Sequence, residues 1–181
     1  MRPDKFTAKL QEALADAQSI AVGRDHNYIE PGHILMALLE QQNGTIKPLL
    51  SQSGADVHRL QARLADHLNG MATIQNPDGN VLWSKDSGRL LNLCDKLAQK
   101  RNDQFIASEL LILAMLDDKC EAGKLLRESG ADKQRLEAAI SQMRGGESVN
   151  DPNAESNRQA LDSYCINLTE RAEAGKLDPV I

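Results

Sequence analysis

Four histidines and three cysteines are the side chains of this sequence best suited to hold a metal or attack a substrate, and their spacing favours neither. His26, His33, His58 and His67 show no pairing with cysteine or carboxylate at metal-ligand intervals. His33 falls in the first turn of an apolar helix, where a structural role fits better than ligation. Cys94, Cys120 and Cys165 are too few and too scattered for a disulfide framework. Cys94 and Cys120 sit among apolar residues and read as small core side chains, and Cys94 lacks an activating base. No glycine-rich loop runs into Lys-Ser or Lys-Thr, and no Gly-x-Ser-x-Gly turn occurs, so neither a phosphate cradle nor a nucleophile elbow is expected. The expectation is no catalytic residue, no cofactor and no metal.

What remains is a binding surface, and a repeat says how it is positioned. Residues 28–39 read YIEPGHILMALL and residues 105–116 read FIASELLILAML. A second echo comes after each, LLSQSGAD from Leu49 and LLRESGAD from Leu125. The offset is 77 residues for the first pair (28 to 105) and 76 for the second (49 to 125), so one block of about that length is duplicated. Hydrophobic residues make up 41% of the chain but aromatics only 3%, which favours packed helices over a sheet. The predicted fold is all-α: two four-helix copies, about 4–70 and 82–144, with a seam between them where other molecules could dock.

Helical spacing of Phe6, Leu10, Leu14, Ala17 and Ala21 gives the first helix, with Gly23 as its stop. Pro31 suits the first turn of the second, which carries Ile34, Leu35, Leu38 and Leu39. A short third helix spans about 46–52, and Asp56 caps a fourth through Leu60, Leu64 and Leu68. Gly70–Ser84 has turn chemistry around Pro77-Asp78-Gly79 and reads as a connector. In the second copy, Trp83 stands where Phe6 stood. A long helix carries Leu90, Leu91, Cys94 and Leu97, succeeded by helices at 106–116 and 123–127 and one opened by Asp132.

The net charge of −5, with no basic stripe, argues against a nucleic-acid binder. The amino terminus lacks a signal peptide and no apolar run is long enough for a membrane span, so a soluble, cytoplasmic protein is expected. Gly145-Gly146 and Asn150-Asp151-Pro152-Asn153 mark residues 145–154 as a flexible linker, with poor order expected beyond about Gly145. Residues 155–181 regain helical spacing and read as the truncated start of another domain.

The YIEPGHILMALL block, the segment LNLCDKLAQKR (91–101) and the tail LTERAEAGKLDPVI (168–181) together resemble the Clp amino-terminal repeat, its linker and the start of the next domain in the disaggregating members of the Clp/Hsp100 family. The resemblance covers essentially the whole chain. It implies a domain outside the motor ring of an AAA+ machine, docking unfolded or aggregated polypeptides for threading during stress recovery. The parent protein it implies is a homohexameric ATPase that uses ATP and magnesium and acts with an Hsp70 system. The ring-forming domains would lie beyond Ile181. Family pattern carries substrate-handling roles onto Thr7, Asp103 and Glu109, beside an apolar groove lined by Leu91, Leu93, Leu110 and Leu113. Ala107 stands where many relatives have Ser or Thr, a lost helix cap worth about 1 kcal/mol.

Read from the residues alone, Leu90, Leu91, Leu93 and Leu97 cannot share one narrow stripe. Some must meet the other copy or solvent, and both a docking patch and a filled seam satisfy that requirement. Glu109 near a helix start is favourable whatever its function. The alternative within the same fold is an adaptor-docking module of ClpA- or ClpC-like unfoldases, which would bind one small folded partner.

Overall fold

Each copy of the repeat becomes four helices, and the two copies face each other about an approximate twofold axis. The structure is a computed structural model that describes residues 3–75 and 79–158. Cys165, the Pro77-Asp78 turn and the tail 159–181 lie outside the described residues.

The first copy holds α1 (Ala8–Gly23), α2 (Pro31–Glu40), α3 (Ile46–Gln52) and α4 (Val57–Asn69). The second holds α5 (Lys85–Lys100), α6 (Ser108–Asp117), α7 (Glu121–Glu128) and α8 (Lys133–Arg144). Local chemistry sets most of the starts. Thr7, Asp56, Ser84, Cys120 and Asp132 each accept an amide of the first helical turn through their side chains. Pro31 takes the first helical position of α2, where its missing N–H leaves nothing unpaired. Cys120 is thus a cap as well as a core side chain, and burial pushes its thiol up to about 11.

Helices α2 and α6 are buried on nearly every face, Pro31–Leu39 in one and Ser108–Leu116 in the other. That pattern belongs to the central helix of a bundle. Helix α1 packs on α2 and α5 on α6, while α3 packs on α8 and α4 on α7, across the copies.

Short parallel ladders join the copies where periodicity gave no warning. Strand β1 (Tyr28–Ile29) pairs with β2 (Leu82–Trp83), inside the stretch expected to be only a connector. Its counterpart is the bridge between Phe6 and Ile106. The axis itself runs near the second echo. Asp56 N–H donates to Ser129 O (2.9 Å) and Asp132 N–H to Ser53 O (3.0 Å). Gly54 and Gly130 meet there with φ of 101° and 103°, and a Cβ on Gly130 would stand 2.8 Å from the Gly54 carbonyl oxygen. The repeated Ser-Gly-Ala-Asp is the contact between the copies.

Candidate functional site

The seven residues singled out from sequence do not form one site. Leu91 lines an open trough between α1 and α5. Leu93 and Leu113 line a separate hollow of about 540 Å³ with Leu97, rimmed by Lys100, Arg101, Asp117, Lys133 and Glu137. Leu110 is wholly buried in the core. Position on α5 explains the division. Residues 91 and 93 point about 200° apart on a helix, so a single groove cannot take both.

The trough has a volume of about 460 Å³ and is mostly apolar. Its lining comes in pairs related by the repeat offset: Phe6 with Trp83, Leu14 with Leu91, Ala15 with Asn92. It therefore lies along the pseudo-twofold axis, lined by both copies. Phe6 is buried, whereas Trp83 is 43% exposed at the mouth. Tyr28 and Leu82, partners across the β1–β2 ladder, are 47% and 67% exposed nearby in sequence and register. Gln11, Gln18 and Asn92 supply neutral hydrogen-bonding groups among the apolar ones.

Thr7, Asp103 and Glu109 lie elsewhere, in a buried polar cluster at the Phe6–Ile106 bridge. Arg144, the last residue of α8, bridges the two acids: Nη1 reaches both Asp103 oxygens at 3.0 and 2.9 Å, and Nε donates to Glu109 Oε1 at 3.0 Å. The carboxylate ends of both acids are fully enclosed, so they are not rim charges of the trough. The rest of the cluster comes from residues 147–158, which lie against the body. Val149 is buried, its N–H donates to Asp103 Oδ1 at 3.0 Å, and its carbonyl accepts the amides of Gln104 and Phe105. Pro152 O accepts the Ala8 amide at 2.8 Å.

Glu155 completes the arrangement. Its Oε2 accepts the Thr7 hydroxyl and the Ser108 amide, the latter at 3.2 Å. Ala107 gives α6 no side-chain cap, and Glu155 supplies one from 47 residues away. Burial and the neighbouring Glu109 push the Glu155 carboxyl above its ordinary range, against the pull of its two donors. Arg158 approaches Glu109 at 3.5 Å.

The first copy has a neutral counterpart at the β1–β2 ladder, which sequence reasoning missed. His26 and His33 are buried with Nδ1 and Nε2 2.8 Å apart. The Glu30 amide donates to His33 Nδ1, so the His33 proton rests on Nε2 and is donated to His26. Burial, then His26, pushes His33 down to about 4. Both histidines are structural. Among the described residues no cluster of three or more His, Cys, Asp or Glu could hold a metal, and no helix is long and apolar enough to cross a membrane.

Comparison with known proteins agrees with the repeat. The chain matches the Clp repeat (R) N-terminal domain over residues 5–129. It is 57% identical over its whole length to the N-terminal region of the chaperone protein ClpB of Pseudomonas putida, and 51% identical to ClpB of Vibrio cholerae. It spans 21% of the length of either relative. Among solved structures, the Hsp104 N-terminal domain from Candida albicans superimposes with a TM-score of 0.74, covering 83% of this chain and 99% of that one at 20% identity. The N-domain of ClpV from Vibrio cholerae gives 0.66, covering 77% and 85% at 22% identity. A helical block seen twice in the sequence, met again in the backbone and shared at this identity across the whole chain, makes this protein a member of the Clp repeat (R) N-terminal domain family, of the kind that forms the N-terminal region of ClpB chaperones.

Proposed function

We propose that the domain docks unfolded polypeptide segments in the trough between α1 and α5 and presents them to an ATP-driven AAA+ ring encoded beyond this chain. The observation that carries this reading is the trough itself. It is open and apolar, lined by Phe6, Leu14, Trp83 and Leu91, with uncharged amides beside them. An unfolded client offers apolar side chains and an unpaired backbone, and this lining meets both without demanding a particular sequence. Binding should be weak, because a flexible chain loses conformational freedom on docking and must later be surrendered to the motor.

On this reading the domain is not itself an enzyme. ATP, magnesium, the homohexamer, the Hsp70 system and a cytoplasmic setting belong to the parent protein, as in the disaggregating chaperones it resembles. Residues 1–144 act as the binding domain, 145–154 as the connection and 155–181 as the entry to the first nucleotide-binding domain. Leu91 is the member of the family-derived set that meets the client. Leu93 and Leu113 lie in a separate hollow with a charged rim, while Leu110 supports the wall from the core.

Trp83 is the chain's single tryptophan and stands at the mouth of the trough, so its fluorescence is a direct probe. Titration with a permanently unfolded protein should shift the Trp83 emission to the blue with saturable weak affinity, and Leu91→Ser should weaken it several-fold. No change in emission at high client concentration, with binding detected elsewhere or not at all, would contradict the trough as the site. Saturation only by one small folded protein would move the assignment to adaptor docking.

A further inference from the structure

We infer that residues 147–158 form a strap, hinged at Gly145-Gly146, that docks reversibly on Thr7, Asp103 and Glu109, and that these three side chains serve as receptors for the chain's own continuation. This inference stands whether or not the trough takes clients.

The hinge is built into the backbone. Gly145 and Gly146 have φ of 60° and 82°, a region most side chains avoid, and nothing stands within 4 Å of where a Cβ would be. The chain can therefore swing there without moving a packed neighbour. Beyond the hinge the attachment is almost wholly polar. Val149 is the one apolar anchor of the strap that is buried, and the other contacts are polar: the Ser148 hydroxyl, which donates to the Arg101 carbonyl, the Pro152 carbonyl, the Glu155 carboxylate and the Arg158 guanidinium. A gap of about 660 Å³ lies between the strap and the end of α8, bordered by Arg144, Ser148, Val149, Ala154 and Arg158. Polar, loosely packed contacts are the kind that open without unfolding the core. Ser108 Oγ and Glu109 Oε2, buried beneath, have no hydrogen-bond partner among the described residues, so water entering on release would satisfy them.

The consequence is geometric. Docked, the chain is held to the domain as far as Arg158; released, it is held only as far as Arg144. Fourteen more residues (144 to 158) then join the tether, roughly 45–50 Å when extended. The clasp thus sets how far the domain can reach.

Four body amides donate to the strap: Ala8 to Pro152, Gln104 and Phe105 to Val149, and Ser108 to Glu155. They report the clasp directly by amide hydrogen exchange on the 181-residue chain. These four, with Val149, should exchange as one group at least tenfold faster than the Leu38 and Leu113 amides of the central helices. Glu155→Ala should speed the group by a further tenfold or more and leave Leu38 and Leu113 unchanged. Glu155→Gln, which keeps an oxygen acceptor, should restore most of the protection. Thr7→Ser should do the same from the body side, since it keeps the hydroxyl. Exchange of the group in step with Leu38 and Leu113, in wild type and Glu155→Ala alike, would overturn the proposal by making the segment part of the core. Absence of protection in the wild type would overturn it by showing no dock.

Discussion

The two ladders that join the copies have the same backbone and different chemistry. At the β1–β2 ladder the polar groups are neutral: Ser84 caps α5, Ser87 Oγ donates to the Ile29 carbonyl at 2.7 Å, and His26 and His33 satisfy each other. At the Phe6–Ile106 bridge a charge enters, Asp103 standing 77 residues after His26, and the closing groups come from Arg144 and the strap. Even the turns agree, for Asp25 and Asn102 share a left-handed φ of 58° and 59°. Duplication fixed the scaffold; one half then kept a self-contained seam while the other came to depend on the strap beyond α8.

That contrast can be broken most forcefully at Arg144. Arg144→Ala leaves Asp103 and Glu109 buried without their main cation, and should cost about 3–5 kcal/mol in chemical denaturation. The same experiment on Ser87→Ala, at the neutral seam, should cost about 1 kcal/mol. Comparable losses at both sites would erase the distinction between them.

Acid should separate the seams by sign. His33 is held down to about 4, so between pH 6.5 and 4 the unfolded chain binds a proton that the native pair refuses. Stability from this seam is full above about 6.5 and falls as pH drops toward 4, by up to about 3 kcal/mol. Glu155 is shifted upward, so its contribution runs the other way: present at low pH and lost as pH rises through its raised value. His33→Leu, which installs the residue found at the equivalent Leu110, should flatten the slope of stability against pH between 7 and 5. An unchanged slope would show that the histidines are not the sensors.

The axis between the seams offers a smaller perturbation. Gly130→Ala places a Cβ against the Gly54 carbonyl in a strained φ region, and should lower stability by about 2 kcal/mol in thermal unfolding. Gly145→Ala, strained but uncrowded, should cost less than half of that. Equal costs would mean that the axis contact is not tight.

Much of this was legible in the sequence because it is local. The repeat gave the two copies, helical spacing gave the helices, and Asp56, Asp132 and Pro31 marked starts found where expected. The ladders escaped notice because two-residue strands carry no period. Residues 145–154 read as a flexible linker because Asn, Asp, Pro and Gly say how a backbone bends; the attachment of 147–158 rests on single contacts, such as those of Val149 and Glu155, acting across more than 40 residues. Asp103 and Glu109 came from family resemblance, which located them without revealing that Arg144 encloses them. The leucines of α5 were divided by tertiary packing, which no local pattern encodes.

The central claim is that the trough on the pseudo-twofold axis receives unfolded polypeptide. Its most direct test is an NMR titration of the 181-residue chain with a permanently unfolded protein, run on wild type, Leu91→Ser and Leu93→Ser. The account predicts shifts centred on Phe6, Leu14, Trp83 and Leu91 that Leu91→Ser diminishes and Leu93→Ser leaves in place. Shifts centred on Leu93, Leu97 and Leu113 instead, or shifts indifferent to Leu91→Ser, would contradict it.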